Sequence, residues 1–190
     1  MKTLILFGRN GYIGREVTKS WLETAPDSRV LVLSRSGKNS FVDERIENIA
    51  VDVADLAAVR AVLPDQVDYM IDLVGRPEKD PQIFEEVNVK PAQVMLNLAQ
   101  EKNVQGMGFI GGRLGPKTFV EAKAELAKML QKSRIPTTVV EPTLVYGGDR
   151  KDGLAKMVPI FKLVGTLLPN MKPVKVEDVA SELVEGMLNR

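Results

Sequence analysis

Cysteine and histidine are both missing from the chain. Without cysteine there can be no disulfide, thiolate metal site or cysteine nucleophile. Without histidine the usual neutral-pH general base and the commonest metal ligand are gone, and serine-histidine-acid chemistry is excluded. A zinc site is not expected. Charge of one sign is also missing: 26 Lys plus Arg face 25 Asp plus Glu. No basic excess is available for nucleic acid or an acidic membrane. No apolar run approaches the roughly 18 residues of a membrane span, and Gly-Arg-Asn-Gly interrupts the apolar N-terminus before it could serve as a signal peptide. The expected setting is cytoplasmic.

What remains is an alternation of apolar runs and amphipathic stretches over 190 residues. Strands are predicted at 2–7, 29–33, 46–51, 67–74, 106–110 and 136–140 from short β-rich runs. Helices are predicted between them: one with Ile13, Val17 and Trp21 on one face, a short one over 56–63, one over 82–102 opened by Asp80-Pro81, and one over 117–133. This is the pattern of an α/β, Rossmann-like, doubly wound parallel sheet. The whole chain, 1–190, reads as a single domain, with 149–190 forming a small C-terminal helical cap over the sheet. The apolar stretch 154–168 could cover a substrate cleft or make a homodimer contact.

The motif that carries most chemistry is Gly8-Arg9-Asn10-Gly11-Tyr12-Ile13-Gly14. It stands between a predicted strand and a predicted helix, as a phosphate-binding turn must. Gly8 permits the tight turn, Gly11 lets the backbone approach a pyrophosphate, and Gly14 lets the helix pack closely. Gly8, Arg9, Asn10, Gly11, Tyr12 and Ile13 are therefore candidate cofactor contacts. The second strand ends Leu33-Ser34-Arg35-Ser36 with no acid to bind a ribose 2′-hydroxyl. Arg35, helped by Ser34, could pair instead with a 2′-phosphate. The expected cofactor is NADP(H), with NAD(H) as the alternative.

Further segments, in order, resemble the short-chain dehydrogenase/reductase superfamily. They are Gly8 to Gly14, Asp52-Val53, Leu73-Val74-Gly75, Asn88-Val89, Lys123, Glu141 to Gly147 and Pro173 to Ala180. The similarity is to its atypical branch, which includes NmrA-like regulators and the NAD(P)-binding accessory subunit of respiratory complex I. It implies that Asp52 and Val53 meet adenine, that Leu73, Val74 and Gly75 line the dinucleotide, and that Pro142, Thr143 and Val145 lie beside the nicotinamide. It also implies that Lys123 holds the nicotinamide ribose. Active members carry Tyr four residues before that lysine, and Ser or Thr after the fifth strand. Here those positions read Phe119 and Gly111-Gly112, so the catalytic position is unknown. Phe119 as plain helix core, and Lys123 as part of a solvated charged stretch with Glu121 and Glu125, are the bland alternatives.

Asp65, Asp68 and Asp72 flank the fourth strand. A carboxylate pair is conceivable, but capped loops and a solvated edge are expected. Two functions fit this sequence: an NADP(H)-dependent oxidoreductase of atypical type acting on a small molecule, or a non-catalytic dinucleotide-binding redox sensor or assembly factor. A sugar-nucleotide dehydratase or epimerase is set aside because the tyrosine is missing and the C-terminal part is short.

Overall fold

Six short apolar segments pair in parallel. The computed structural model describes residues 1–8, 11–38, 41–147 and 172–189. Its strands are β1 (Lys2–Phe7), β2 (Ser28–Ser34), β3 (Ile46–Ala50), β4 (Tyr69–Asp72), β5 (Gly106–Ile110) and β6 (Thr137–Val140). They form one sheet in the order β3-β2-β1-β4-β5-β6. Every pairing is parallel. The order reverses between β1 and β4, which leaves a crevice at the C-terminal ends of those strands. A small parallel pair, β7 (Val145–Tyr146) with β8 (Val174–Lys175), lies beyond β6.

Period-2 alternation sends side chains of the inner strands to two cores. Ile5, Phe7, Leu31, Leu33, Met70 and Phe109 face α2 (Leu56–Val62), α4 (Lys90–Lys102) and α5 (Lys117–Gln131). Leu4, Leu6, Val30, Val32 and Ile71 face α1 (Tyr12–Thr24) and α6 (Val176–Leu188). Both faces are covered, as an all-parallel sheet requires. Of the C-terminal part, α6 lies over the sheet and packs on α1, β5 and β6. Residues 148–171, and with them the apolar stretch 154–168, fall outside the described residues.

Two elements differ from the sequence expectation in ways that shape the site. The fourth strand, expected over 67–74, stops at Asp72. Asp72 turns its carboxylate onto the Val74 N–H at 2.8 Å, and Gly75 takes φ +140°, so the backbone leaves the ladder there. The helix expected over 82–102 is three pieces: α3 (Pro81–Phe84), a π-turn (Glu85–Val89) and α4. Pro91 has no N–H to donate and would crowd the carbonyl four residues back, so the ladder cannot run through it unchanged. The wider π-turn takes up that break.

Candidate dinucleotide site

The crevice is built around one loop, Leu73 to Arg76, at the end of β4. Three buried side chains clamp it. Asp72 Oδ1 accepts from Val74 N. Lys123 Nζ, from α5, donates to the Val74 carbonyl at 2.6 Å. Asn88, from the π-turn, accepts from Arg76 N at 2.9 Å and donates to the Arg76 carbonyl at 3.0 Å. Asn88 also donates to the Phe84 carbonyl, which holds the turn that presents it. Gly75 sits inside this clamp: a Cβ there would lie 2.7 Å from Lys123 Nζ and 2.9 Å from Asn88 Oδ1.

Electrostatics at the clamp are set by burial. Asp72 is fully buried and lies in register between Phe7 of β1 and Phe109 of β5. Desolvation pushes its carboxyl up to about 6, against the pull of the Lys123 charge and the Val74 N–H. Its Oδ2 has no hydrogen-bond partner. Lys123 is 3% exposed, with Nζ 4.5 Å from the centre of the Phe109 ring. Burial holds its amine below the usual lysine range, and the Asp72 charge partly offsets this. The expectation that Asp68 and Asp72 are solvated is therefore corrected. Asp72 cannot reach water beneath α4 and α5. Asp68 is buried at the opposite end of β4, where it accepts from Thr3 N at 2.7 Å and from Gln105 at 2.8 Å. Only Asp65 is exposed, as expected. The two buried carboxylates stand at opposite ends of one strand, so they are no acid/base pair.

The predicted residues gather in two connected places. A cavity of about 590 Å³ is lined by Ile13, Leu73, Val74, Gly75, Gly111, Gly112, Phe119, Lys123, Pro142, Thr143 and Val145, together with Leu144. Phe119 and Lys123 thus face one space, and the solvated-stretch alternative for Lys123 does not hold. The Phe119 ring packs over the glycine backbone: a Cβ on Gly115 would be 3.2 Å from it and one on Gly112 3.7 Å. A smaller cavity of about 150 Å³ is lined by Arg35, Asp52, Val53, Val74, Gly75 and Arg76. Val74 and Gly75 wall both. Ser34 is buried at the end of β2, where its Oγ accepts from Gly37 N at 3.2 Å. Tyr12 opens α1 beside Gly11. Arg9 and Asn10 lie outside the described residues.

Sequence reading missed three participants. Asn88 enters only through the resemblance, Arg76 carries no signal in the sequence, and Asp72 reads as part of a solvated edge. Asn88 was legible as an amide inside an otherwise helical run. A groove of about 640 Å³ runs along the free side of β6 and shares Pro142 and Thr143. Its walls mix apolar residues with charges, among them Lys128, Glu141, Asp178 and Glu182, and none of its lining residues belongs to the glycine turn.

The residues fit a dinucleotide. Gly11 precedes α1 with no side chain capping the helix, and a Cβ on Gly11 would meet nothing within 4 Å. That open space at a helix N-terminus suits a pyrophosphate. Gly8, at φ +80°, is pressed against Val74: a Cβ there would come 2.3 Å from Val74 Cγ2. The turn and the clamped loop are therefore one packed unit. Gly111 and Gly112 leave the inner cavity without a hydroxyl where the fifth strand ends.

Fold and site together define a Rossmann-type dinucleotide-binding domain. The chain belongs to the NAD dependent epimerase/dehydratase family, whose sequence profile matches residues 4–113. This places it among the NAD(P)-binding relatives that its sequence motifs resemble. No curated protein matches it in sequence. Solved structures share the fold at low identity. A UDP-glucose 4-epimerase from Thermotoga maritima superposes with TM-score 0.76 at 18% identity, over 98% of this chain and 73% of that one. A short chain dehydrogenase family protein from Francisella tularensis gives TM-score 0.73 at 16% identity, over 98% of this chain and 91% of that one. The Bordetella bronchiseptica enzyme WbmH, solved in complex with NAD+, gives TM-score 0.73 at 17% identity, over 98% and 72%. Among the described residues no group of side chains could hold a metal, and no helix is long and apolar enough to cross a membrane.

Proposed function

We propose that the chain is an NADP(H)-preferring oxidoreductase of atypical type that lacks the tyrosine proton donor. The observation that carries this reading is the meeting of Ile13 at the start of α1, Arg35, Asp52-Val53, the clamped Leu73 to Arg76 loop and Lys123 along one crevice at the strand-order switch. A dinucleotide, when bound, supplies hydride transfer at its nicotinamide. The chain's part is to bind, orient and exclude water.

Gly11 and the N-terminus of α1 receive the pyrophosphate. Arg35 is exposed at the rim of the smaller cavity, and Arg76 lines the same cavity. Asp52 and Glu86 line that cavity too and Arg76 pairs with Glu78, so the preference for a 2′-phosphate over a bare hydroxyl rests on Arg35, with no acid beside it at the end of β2. Lys123 offers one of its two remaining N–H bonds to the nicotinamide ribose. Phe119 and Gly112 cannot give a proton, so protonation comes from water or the substrate itself. A cytoplasmic protein of one domain is part of this reading.

Calorimetry with NADPH and NADH tests it. NADPH binding tighter than NADH, with the gap narrowed in Arg35→Ala, supports the reading. Equal affinities, or tighter NADH, remove the preference. The non-catalytic alternative gains if dinucleotide binds and no carbonyl compound is turned over.

A further inference from the structure

The inner cavity has walls unlike those of a site for a hydroxylated substrate. Ile13, Leu73, Ile110, Leu114, Phe119 and Leu144 line it with apolar side chains. Among the described residues only two lining side chains are polar, Lys123 and Thr143. Both are already engaged: Lys123 Nζ donates to the Val74 carbonyl, and Thr143 Oγ1 donates to the Lys172 carbonyl. Phe119 presents a ring, packed over Gly112 and Gly115, in place of any hydroxyl.

We infer that this cavity takes an apolar ring compound with a single carbonyl or hydroxyl group, seated against Phe119 and Leu114, and does not take a sugar nucleotide. A buried hydroxyl without a partner loses its water bonds and gains nothing. A sugar ring brings several such groups, and among the described residues the side chains of the walls offer few donors or acceptors to meet them. A flat apolar ring instead gains by leaving water and by stacking edge or face on Phe119. Its one polar atom turns to the inner end, where Lys123 keeps donor capacity. The volume, about 590 Å³, lies within the roughly 300–1,000 Å³ of small-molecule sites.

This inference rests on the dinucleotide reading, and the test separates the two. The full chain is first titrated with NADP+, then, when saturated, with 2-acetylnaphthalene and in parallel with UDP-glucose. The oxidised cofactor prevents turnover of the ketone. The expected result is saturable one-to-one binding of 2-acetylnaphthalene and no binding of UDP-glucose. Leu114→Asn, in an exposed loop, should weaken the ketone at least fivefold and leave NADP+ affinity unchanged. Leu114→Met should keep both. If NADP+ binds normally while UDP-glucose binds and the ketone does not, the substrate class is overturned and the dinucleotide reading stands. Ketone affinity unmoved by Leu114→Asn and by Phe119→Asn overturns it equally. If NADP+ itself does not bind, both readings fall.

Discussion

Asp72 and Lys123 hold residue Val74 from its two ends, the carboxylate on its N–H and the ammonium on its carbonyl, with both side chains removed from water. The pair is costly to bury and is set where the nucleotide crevice opens. Its titration should be visible in stability. The Asp72 carboxyl is raised from 3.8 to about 6. The folded state therefore binds more protons than the unfolded state between those values, and stability falls as pH rises through that window. At about 1.4 kcal/mol per pKa unit the span is on the order of 3 kcal/mol. Urea midpoints of wild type and Asp72→Asn from pH 3.5 to 7.5 should differ by that slope, with the variant gaining relative to wild type as pH rises. Parallel profiles would show that Asp72 does not titrate in the window.

The two glycines of the N-terminal turn should fail in different ways. Gly8→Ala places a methyl group against Val74 at a positive φ, so it should destabilise the fold by about 1–3 kcal/mol. Gly11→Val enters open space, so thermal unfolding should barely change. Dinucleotide binding should vanish in Gly11→Val, because the branched side chain occupies the pyrophosphate position. Normal binding by that variant means the turn has another role.

Asn88→Ala removes both side-chain hydrogen bonds to the backbone of Arg76, at a part-buried position. Each such bond is worth about 0.5–1.5 kcal/mol, so a drop of about 1–3 kcal/mol in urea unfolding is expected. Dinucleotide affinity should fall with it, since the loosened loop walls both cavities. A stable variant with intact binding would show that the π-turn, without its amide, suffices to hold the loop.

For catalysis the expectation is slow carbonyl reduction by the native chain. A positioned acid contributes about 10²–10⁴-fold, and Phe119 cannot supply it. Phe119→Tyr combined with Gly112→Ser should raise the single-turnover rate with NADPH while leaving NADPH affinity near wild type. Brisk turnover by the native chain, unaffected by Phe119→Ala, would move the proton donor elsewhere. Tyr146, in β7 and outside the inner cavity, would then be the first candidate.

Much of this was legible in the residues. The parallel sheet with helices on both faces and the apposition of Phe119 with Lys123 follow from local pattern plus the fixed periods of strand and helix. What the sequence hid was depth. Asp72 looks like any strand-end aspartate until Phe7 and Phe109 are seen on either side of it in the register. Lys123 sits between Glu121 and Glu125 and looks solvated, yet a helix sends residues two apart to different faces. Asn88 looks like a helical surface amide because its orientation depends on the turn that contains it.

That turn has a consequence for how the chain can change. A π-turn carries one residue more than the α-helical count, so the segments before and after it run out of phase by about 100°. The stripe of Val94, Met95 and Leu98 on the sheet and the inward aim of Asn88 are both satisfied only while that extra residue is present. Substitution within Glu85–Val89 at exposed positions should be cheap. Loss of a single residue there would swing Asn88 away from the loop without altering any side chain that touches it. In this protein, spacing within one helical turn is as much a part of the binding site as the residues that line it.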